Sequence, residues 1–107
     1  MKSINILHDE AMDFADQAFI ARRKSDIEGA LSLARKAYEL EVQAAELLRN
    51  DLSAEPSRSV LYRSAASLAM ECGETREAER LISIALSGES PYEIAEELRN
   101  LLEQVNF

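Results

Sequence analysis

The amino-acid sequence predicts an all-α fold of five antiparallel helices. Five segments carry apolar residues at every third or fourth position, which is the spacing of one face of an α-helix. Turn-forming residues separate these segments, and the alternating apolar pattern of a β-strand is absent. The composition agrees, because 47% of the 107 residues are hydrophobic while only 3 are Gly and 2 are Pro. Most connections are short, so consecutive helices should pack antiparallel.

The first two helices are predicted over roughly residues 3–24 and from there to about Arg49. Ser25 begins the pattern Ser-Asp-Ile-Glu, which is typical of a capping box. In that motif a Ser hydroxyl and a Glu carboxylate each accept a hydrogen bond from an otherwise free backbone N–H. We therefore expect Ser25 to be the N-cap of the second helix.

Proline and glycine delimit the third and fourth helices. Residues 50–57 form a predicted linker, and Pro56 within it suits the first turn of the third helix. Gly73 suits the left-handed residue that closes this helix. The fourth helix then covers residues 75–86 and is ended by Gly88.

The last helix is predicted over residues 91–107. Ser90 begins a second capping-box pattern, Ser-Pro-Tyr-Glu, with proline at the first helical position. We therefore expect Ser90 to be the N-cap of this helix.

Charge and cysteine content bound the class of protein. The chain has 20 acidic and 12 basic residues and a net charge of -8, which argues against a nucleic-acid partner. Its single cysteine, Cys72, cannot form an internal disulfide, and its first residues lack the pattern of a signal peptide. No apolar run approaches the roughly 20 residues that span a bilayer. We therefore expect a cytoplasmic protein without a membrane partner.

Two stretches of the chain resemble each other. SDIEGALSLARKAYE at residues 25–39 is similar to GETREAERLISIALS at residues 73–87, which lies 48 residues later. In both helix pairs an aromatic residue is followed four positions later by Ala, then by a polar turn and by two Ala residues seven apart. Small residues at such positions allow two helices to approach closely. The aligned pairs are Phe14 with Tyr62, Ala18 with Ala66, Ala30 with Ala78, and Ala37 with Ala85.

This pattern resembles the tetratricopeptide repeat family. The resemblance implies a first repeat at about 11–44, a linker at about 50–57, a second repeat at about 59–90 and a capping helix at 91–107. It further implies two helix hairpins and a capping helix that form a short right-handed superhelix. The alternative is a generic five-helix bundle in which the Ala spacing is coincidental.

The resemblance also implies a binding groove. In this family the first helices of successive pairs line a concave surface that receives a peptide or a partner's helix. Phe19 and Met70 would be apolar anchors, and Arg22 and Arg63 would receive a carboxylate. Phe19 could equally belong to the core. The residues carried over to the groove are Met12, Ala15, Phe19, Arg22 and Arg23 of the first helix and Val60, Arg63, Ser67 and Met70 of the third.

The sequence offers little material for catalysis or metal binding. His8 is the single histidine and is expected to be a surface side chain, so paired Glu-x-x-His motifs are absent. A helical nuclease of the HEPN type would need an Arg followed by a His on a late helix, and no histidine follows His8. Cys72 is expected to be a structural residue at an apolar helix end. We therefore expect no enzyme activity, metal or cofactor.

Two functions follow from these expectations. The first is a small protein–protein interaction module, such as an adaptor, which binds a peptide or partner helix of unknown identity in the groove. The alternative is a self-associating structural protein, a homodimer formed through exposed apolar surface of the repeats.

Overall fold

A computed structural model describes residues 2–106 of the chain, and in this range it contains five α-helices and no strand. This confirms the all-α prediction. Each helix packs against the next one in the chain, and the third also contacts the fifth. The helices are α1 (Ile4–Arg23), α2 (Ile27–Glu46), α3 (Ser57–Glu71), α4 (Thr75–Leu86) and α5 (Tyr92–Val105), and a 3-10 turn (Leu52–Ala54) precedes α3.

The cap of α2 differs from the prediction by one residue. The N-cap is Asp26, whose Oδ1 accepts a hydrogen bond from the backbone N of Gly29 at 3.0 Å. Ser25 is instead the left-handed residue of the turn, with a φ of 63°. The capping box predicted at Ser25 is therefore wrong, because the preceding turn uses this residue to reverse the chain.

The second predicted capping box is also wrong. Pro91 is the N-cap of α5 and has no side-chain cap, while the hydroxyl of Ser90 donates to the carbonyl of Ala85 at 3.0 Å. Ser90 therefore closes the end of α4 instead of opening α5. The end of α2 also differs, since the helix stops at Glu46 and turns continue to Asn50.

The turns after α1 and α3 have the same backbone structure. Gly73 has a φ of 76°, as its predicted role requires, and it lies 48 residues after Ser25. In the first turn the N–H of Asp26 donates to the carbonyl of Ala21 at 2.9 Å. In the second turn Glu74 donates to Ala69 at 2.8 Å, again 48 residues later. The two turns therefore follow the same helix-ending motif, with a left-handed residue at the same position.

Small residues fill the interior of the two helix pairs. Seven buried alanines and one isoleucine occupy positions that correspond to each other at the 48-residue offset, and none is more than 2% exposed. A methyl group at these positions allows close approach of the helix backbones. The buried set is Ala18 with Ala66, Ala30 with Ala78, Ala34 with Ile82, and Ala37 with Ala85.

A buried arginine in the first turn of α3 binds carbonyl groups at the end of α4 and in the turns after α2. Arg58 is 2% exposed, and its guanidinium donates to the carbonyl oxygens of Arg49, Ile84 and Ala85 at 2.9, 2.9 and 3.3 Å. Its Nη1 also lies 3.5 Å from the carboxylate of Glu55. The cation therefore satisfies carbonyls at the end of α4 and beyond the end of α2, where the helix dipole favours positive charge.

The buried phenol of Tyr62 is linked to the same core. Its hydroxyl donates to Glu46 at 3.1 Å. Burial, and then the negative charge of Glu46, raises the pKa of Tyr62 to about 12. A raised pKa in the folded state means that this group's contribution to stability is complete below about pH 10 and is lost as the pH rises through about 12.

Exchanging the residue types at the two left-handed positions should change stability in opposite directions. We expect Gly73→Ser to lower the free energy of unfolding by about 1–2 kcal/mol, because a Cβ is disfavoured at positive φ. Ser25→Gly should raise it by about 0.5 kcal/mol, since relief of this strain exceeds the added freedom of the unfolded chain. Urea denaturation monitored by circular dichroism measures both values. Equal signs for the two variants would contradict the common turn structure.

Gly88 is expected to tolerate no side chain while Arg58 holds its present position. A Cβ built at Gly88 would overlap the Arg58 guanidinium, although the backbone φ of Gly88 is not positive. Gly88→Ala should therefore lower the free energy of unfolding by about 1–3 kcal/mol through disturbed hydrogen bonds. Repeating the substitution in an Arg58→Met background supplies the control. A loss of the same size there would show that Arg58 is not the cause.

Candidate functional site

A groove separates α1 from α3. Both helices pack on α2, yet no Cα atom of α1 comes within 8 Å of a Cα atom of α3. We call this space, with α2 beneath it, the α1–α3 groove. The residues predicted to line a groove lie along these two helices.

On α1, the predicted residues form an exposed cluster near the end of the helix. Phe19 is 58% exposed, so the alternative that it belongs to the core is wrong. The guanidinium of Arg23 lies over its ring, 5.9 Å from the centroid. Met12, about two turns earlier in α1, is half-buried against the core. This end of α1 therefore presents an aromatic ring with a cation stacked on it.

On α3, the predicted residues differ in their surroundings. Ser67 is exposed, and Met70 is half-buried against the core. The Nη1 atom of Arg63 lies 2.7 Å from the carboxylate of Glu97 on α5. The carboxylate-receiving role predicted for Arg63 is thus already taken by a residue of the same chain.

Arg22 also has a partner within the chain. Its Nη1 lies 3.7 Å from the carboxylate of Glu71 at the end of α3, and both side chains are exposed. Exposed ion pairs of this kind contribute roughly 0–1 kcal/mol, so a ligand carboxylate could displace Glu71 at little cost. The pair shows that the C-terminal ends of α1 and α3 approach each other across the groove.

The other end of the groove holds a cleft of about 230 Å³. Its polar side chains are Asn5, His8 and Ser57. Its apolar walls come from the first turn of α1 and the start of α3, and they consist of Ile4, Pro56, Val60 and Leu61. Of these residues, only Val60 was carried over from the repeat resemblance.

His8 is held in this cleft by a buried carboxylate. Its Nδ1 lies 2.9 and 3.0 Å from the two carboxylate oxygens of Glu41, which is fully buried in α2. The His8 side chain is 37% exposed. His8 is thus partly exposed, as expected of a surface histidine, but α1 and α2 bring it against Glu41, which lies 33 positions away in the sequence.

Sequence reasoning did not identify Glu41, although a signal was present. Glu41 occupies a helical position three and four residues from Tyr38, Ala37, Ala44 and Ala45, all of which are buried. An acid inside an apolar stripe is unusual, because a buried carboxylate needs a partner to offset its lost hydration. That pattern would have directed attention to the single histidine.

Cys72 does not provide a reactive group at the groove. The thiol is free and half-buried. Burial raises the pKa of Cys72, with Arg35 acting in the opposite direction. A raised pKa lowers the fraction of thiolate, which is the nucleophilic form.

A larger hollow of about 560 Å³ lies between the start of α1 and the second half of α2. Its charged groups already have partners, since Lys2 binds Glu10 and Glu46 binds both Tyr62 and Arg80. The smaller cleft beside His8 is therefore the better candidate for a binding site, because the charged groups of the larger hollow already have partners.

Comparisons with models of known protein families, with curated proteins and with solved structures found no match. Within residues 2–106, no helix is both long and apolar enough to cross a membrane. The same range contains no group of three or more His, Cys, Asp or Glu side chains arranged to hold a metal ion.

The pairing of His8 with Glu41 predicts strong energetic coupling. His8→Leu alone leaves a buried carboxylate without a donor and should lower the free energy of unfolding by about 3 kcal/mol. In a Glu41→Leu background the same substitution should cost less than about 1 kcal/mol, since no buried charge remains. Urea denaturation of the four proteins in this double-mutant cycle gives the coupling. A loss that is equal in both backgrounds would contradict the pairing.

Proposed function

We propose that the chain is a non-catalytic protein–protein interaction module that binds a peptide or a partner's helix in the α1–α3 groove. The observation that carries this function is the 58% exposure of Phe19. Large aromatic side chains contribute strongly when a partner buries them, and exposure of such a ring costs hydration free energy in the free protein. Arg23 over the ring adds a hydrogen-bonding cation beside it.

We further propose that α1–α2 and α3–α4 are antiparallel, TPR-like hairpins and that α5 is a capping helix. Support comes from the two equivalent turns and from the burial of corresponding small residues at the 48-residue offset. In such an arrangement α1, α3 and α5 line one surface. The ion pair between Arg63 on α3 and Glu97 on α5 agrees with neighbouring positions for these two helices.

Binding of a separate partner is favoured over self-association through the outer side of α1. Three residues of α3 are buried, whereas the residues at the corresponding positions of α1, 48 residues earlier, are exposed. Two of these three α1 residues are polar. Polar side chains on an outer helix face oppose the burial of that face against a second copy. The corresponding pairs are Leu61 with Asp13, Ala65 with Gln17, and Leu68 with Ile20.

A non-catalytic role agrees with the chemistry of the two reactive residue types. The Cys72 thiol has a raised pKa because of burial. The Nδ1 of His8 is engaged with Glu41, and no described serine or cysteine lies within hydrogen-bonding distance of the ring. A nucleophile activated by a neighbouring base, as acyl transfer requires, is thus not assembled among residues 2–106.

Selection of peptides from a displayed random library tests the proposed function. Peptides enriched on the wild-type chain should bind the Phe19→Asp variant at least about 30-fold more weakly, the effect expected for loss of an interface anchor. Ile6→Asp is the matched control, because Ile6 is 50% exposed on the same helix but about 140° away around its axis. That variant should bind within about twofold of wild type.

Two results would contradict the proposed function. One is equal loss of binding in the Phe19 and Ile6 variants, which would place the contact outside the groove. The other is the absence of any enriched peptide with a micromolar dissociation constant. Circular dichroism of each variant confirms that the helices are retained before binding is measured.

A further inference from the structure

The cleft beside His8 has a different chemistry from the Phe19 end of the groove. Its three polar side chains, Asn5, His8 and Ser57, stand against apolar walls. No Asp, Glu, Lys or Arg lines it. The cleft therefore combines hydrogen-bonding groups with an apolar surface.

The buried carboxylate fixes the role of each imidazole nitrogen. Both oxygens of Glu41 lie within 3.0 Å of Nδ1, and because a carboxylate only accepts hydrogen bonds we assign the donated hydrogen to Nδ1. Nε2 has no hydrogen-bond partner among residues 2–106, and the ring lines the cleft. This nitrogen accepts a hydrogen bond when the imidazole is neutral and donates one when it is charged. Glu41 is thus a positioning residue for His8.

The charge and size of the cleft restrict its ligand. The net charge of -8 disfavours an anion, and the lack of lining carboxylates offers a cation no partner. A volume of about 230 Å³ is below the roughly 300–1,000 Å³ of pockets for drug-sized ligands. A neutral peptide group with one apolar side chain fits both limits, because its main chain supplies a donor and an acceptor.

We propose, on the basis of the interaction function above, that this cleft binds one aliphatic side chain of a partner peptide while Nε2 of His8 hydrogen-bonds the adjoining peptide group. The walls formed by Ile4, Val60 and Leu61 bury the side chain. Asn5 and Ser57 provide further hydrogen-bonding groups for the main chain. The groove then has two anchoring points, one at Phe19 and one at His8.

The probe for this site is N-acetyl-L-leucinamide, a single leucine with a peptide group on each side. His8 is the one histidine of the chain, so its imidazole ¹⁵N and ¹H signals are assigned without ambiguity. We expect the Nε2 signal to shift in a saturable manner, with a dissociation constant on the order of millimolar for a ligand of this size. N-acetylglycinamide, which lacks the side chain, should bind at least tenfold more weakly.

A matched pair of variants locates the binding. Val60→Phe should fill the cleft and abolish the saturable shift. Val42→Phe is the control, since Val42 is also half-buried but lines the other hollow. Glu41→Gln should reduce binding and change the ¹⁵N signals of the ring, because a neutral amide no longer holds the hydrogen on Nδ1. A merely structural role for Glu41 would leave those signals unchanged.

The outcomes separate this inference from the proposed function. Equal shifts with the leucine and glycine probes, or a shift that persists in Val60→Phe, would overturn the cleft site. Peptides that need Phe19 but leave the His8 signals unmoved would refute the cleft site and retain the interaction function. Saturable binding of the leucine probe without any Phe19-dependent peptide would remove the interaction function and leave a small-ligand cleft.

Discussion

The hydrogen bonds of Arg58 connect the second half of the molecule to the first. The carbonyls that it binds belong to Arg49, Ile84 and Ala85, so one guanidinium joins the turns after α2 to the end of α4. The charge is offset by Glu55, which also accepts from the backbone N of Ser59 at 2.9 Å. Loss of one partner in a buried pair costs about 3–5 kcal/mol, which is a large part of the stability of a domain of this size.

The segment that Arg58 holds also borders the groove. The linker of residues 50–57 and the length of α2 place α3 along α2, with no Cα atom of α3 within 8 Å of a Cα atom of α1. Because Gly88 leaves room for the Arg58 guanidinium, the α4 end can sit against the linker and fix the start of α3. The cleft beside His8 lies at this start, between Pro56 and the first turns of α1. The buried arginine and the candidate site therefore depend on the same segment.

Much of the fold could be predicted from the sequence, because helical spacing is a local property. The five helices follow directly from it, and the left-handed role of Gly73 follows from the residue type. Both capping boxes were misplaced, since Ser25 and Ser90 are used by the preceding turn or helix end. A capping pattern indicates which residues can cap a helix. It does not show whether the preceding turn or helix end uses the same residue instead.

The two proposed anchoring points of the groove show which residues sequence reasoning could identify and which required the structure. Phe19 was found through a pattern, whereas His8 acquires its role from Glu41, which lies 33 positions away. His8 and Phe19 are 11 residues apart on α1, just over three turns, so they share a face and are separated by about 16 Å. An extended peptide covers that distance with about five residues at about 3.3 Å each. A partner segment of this length could therefore fill the cleft with an aliphatic side chain and still reach the Phe19 ring.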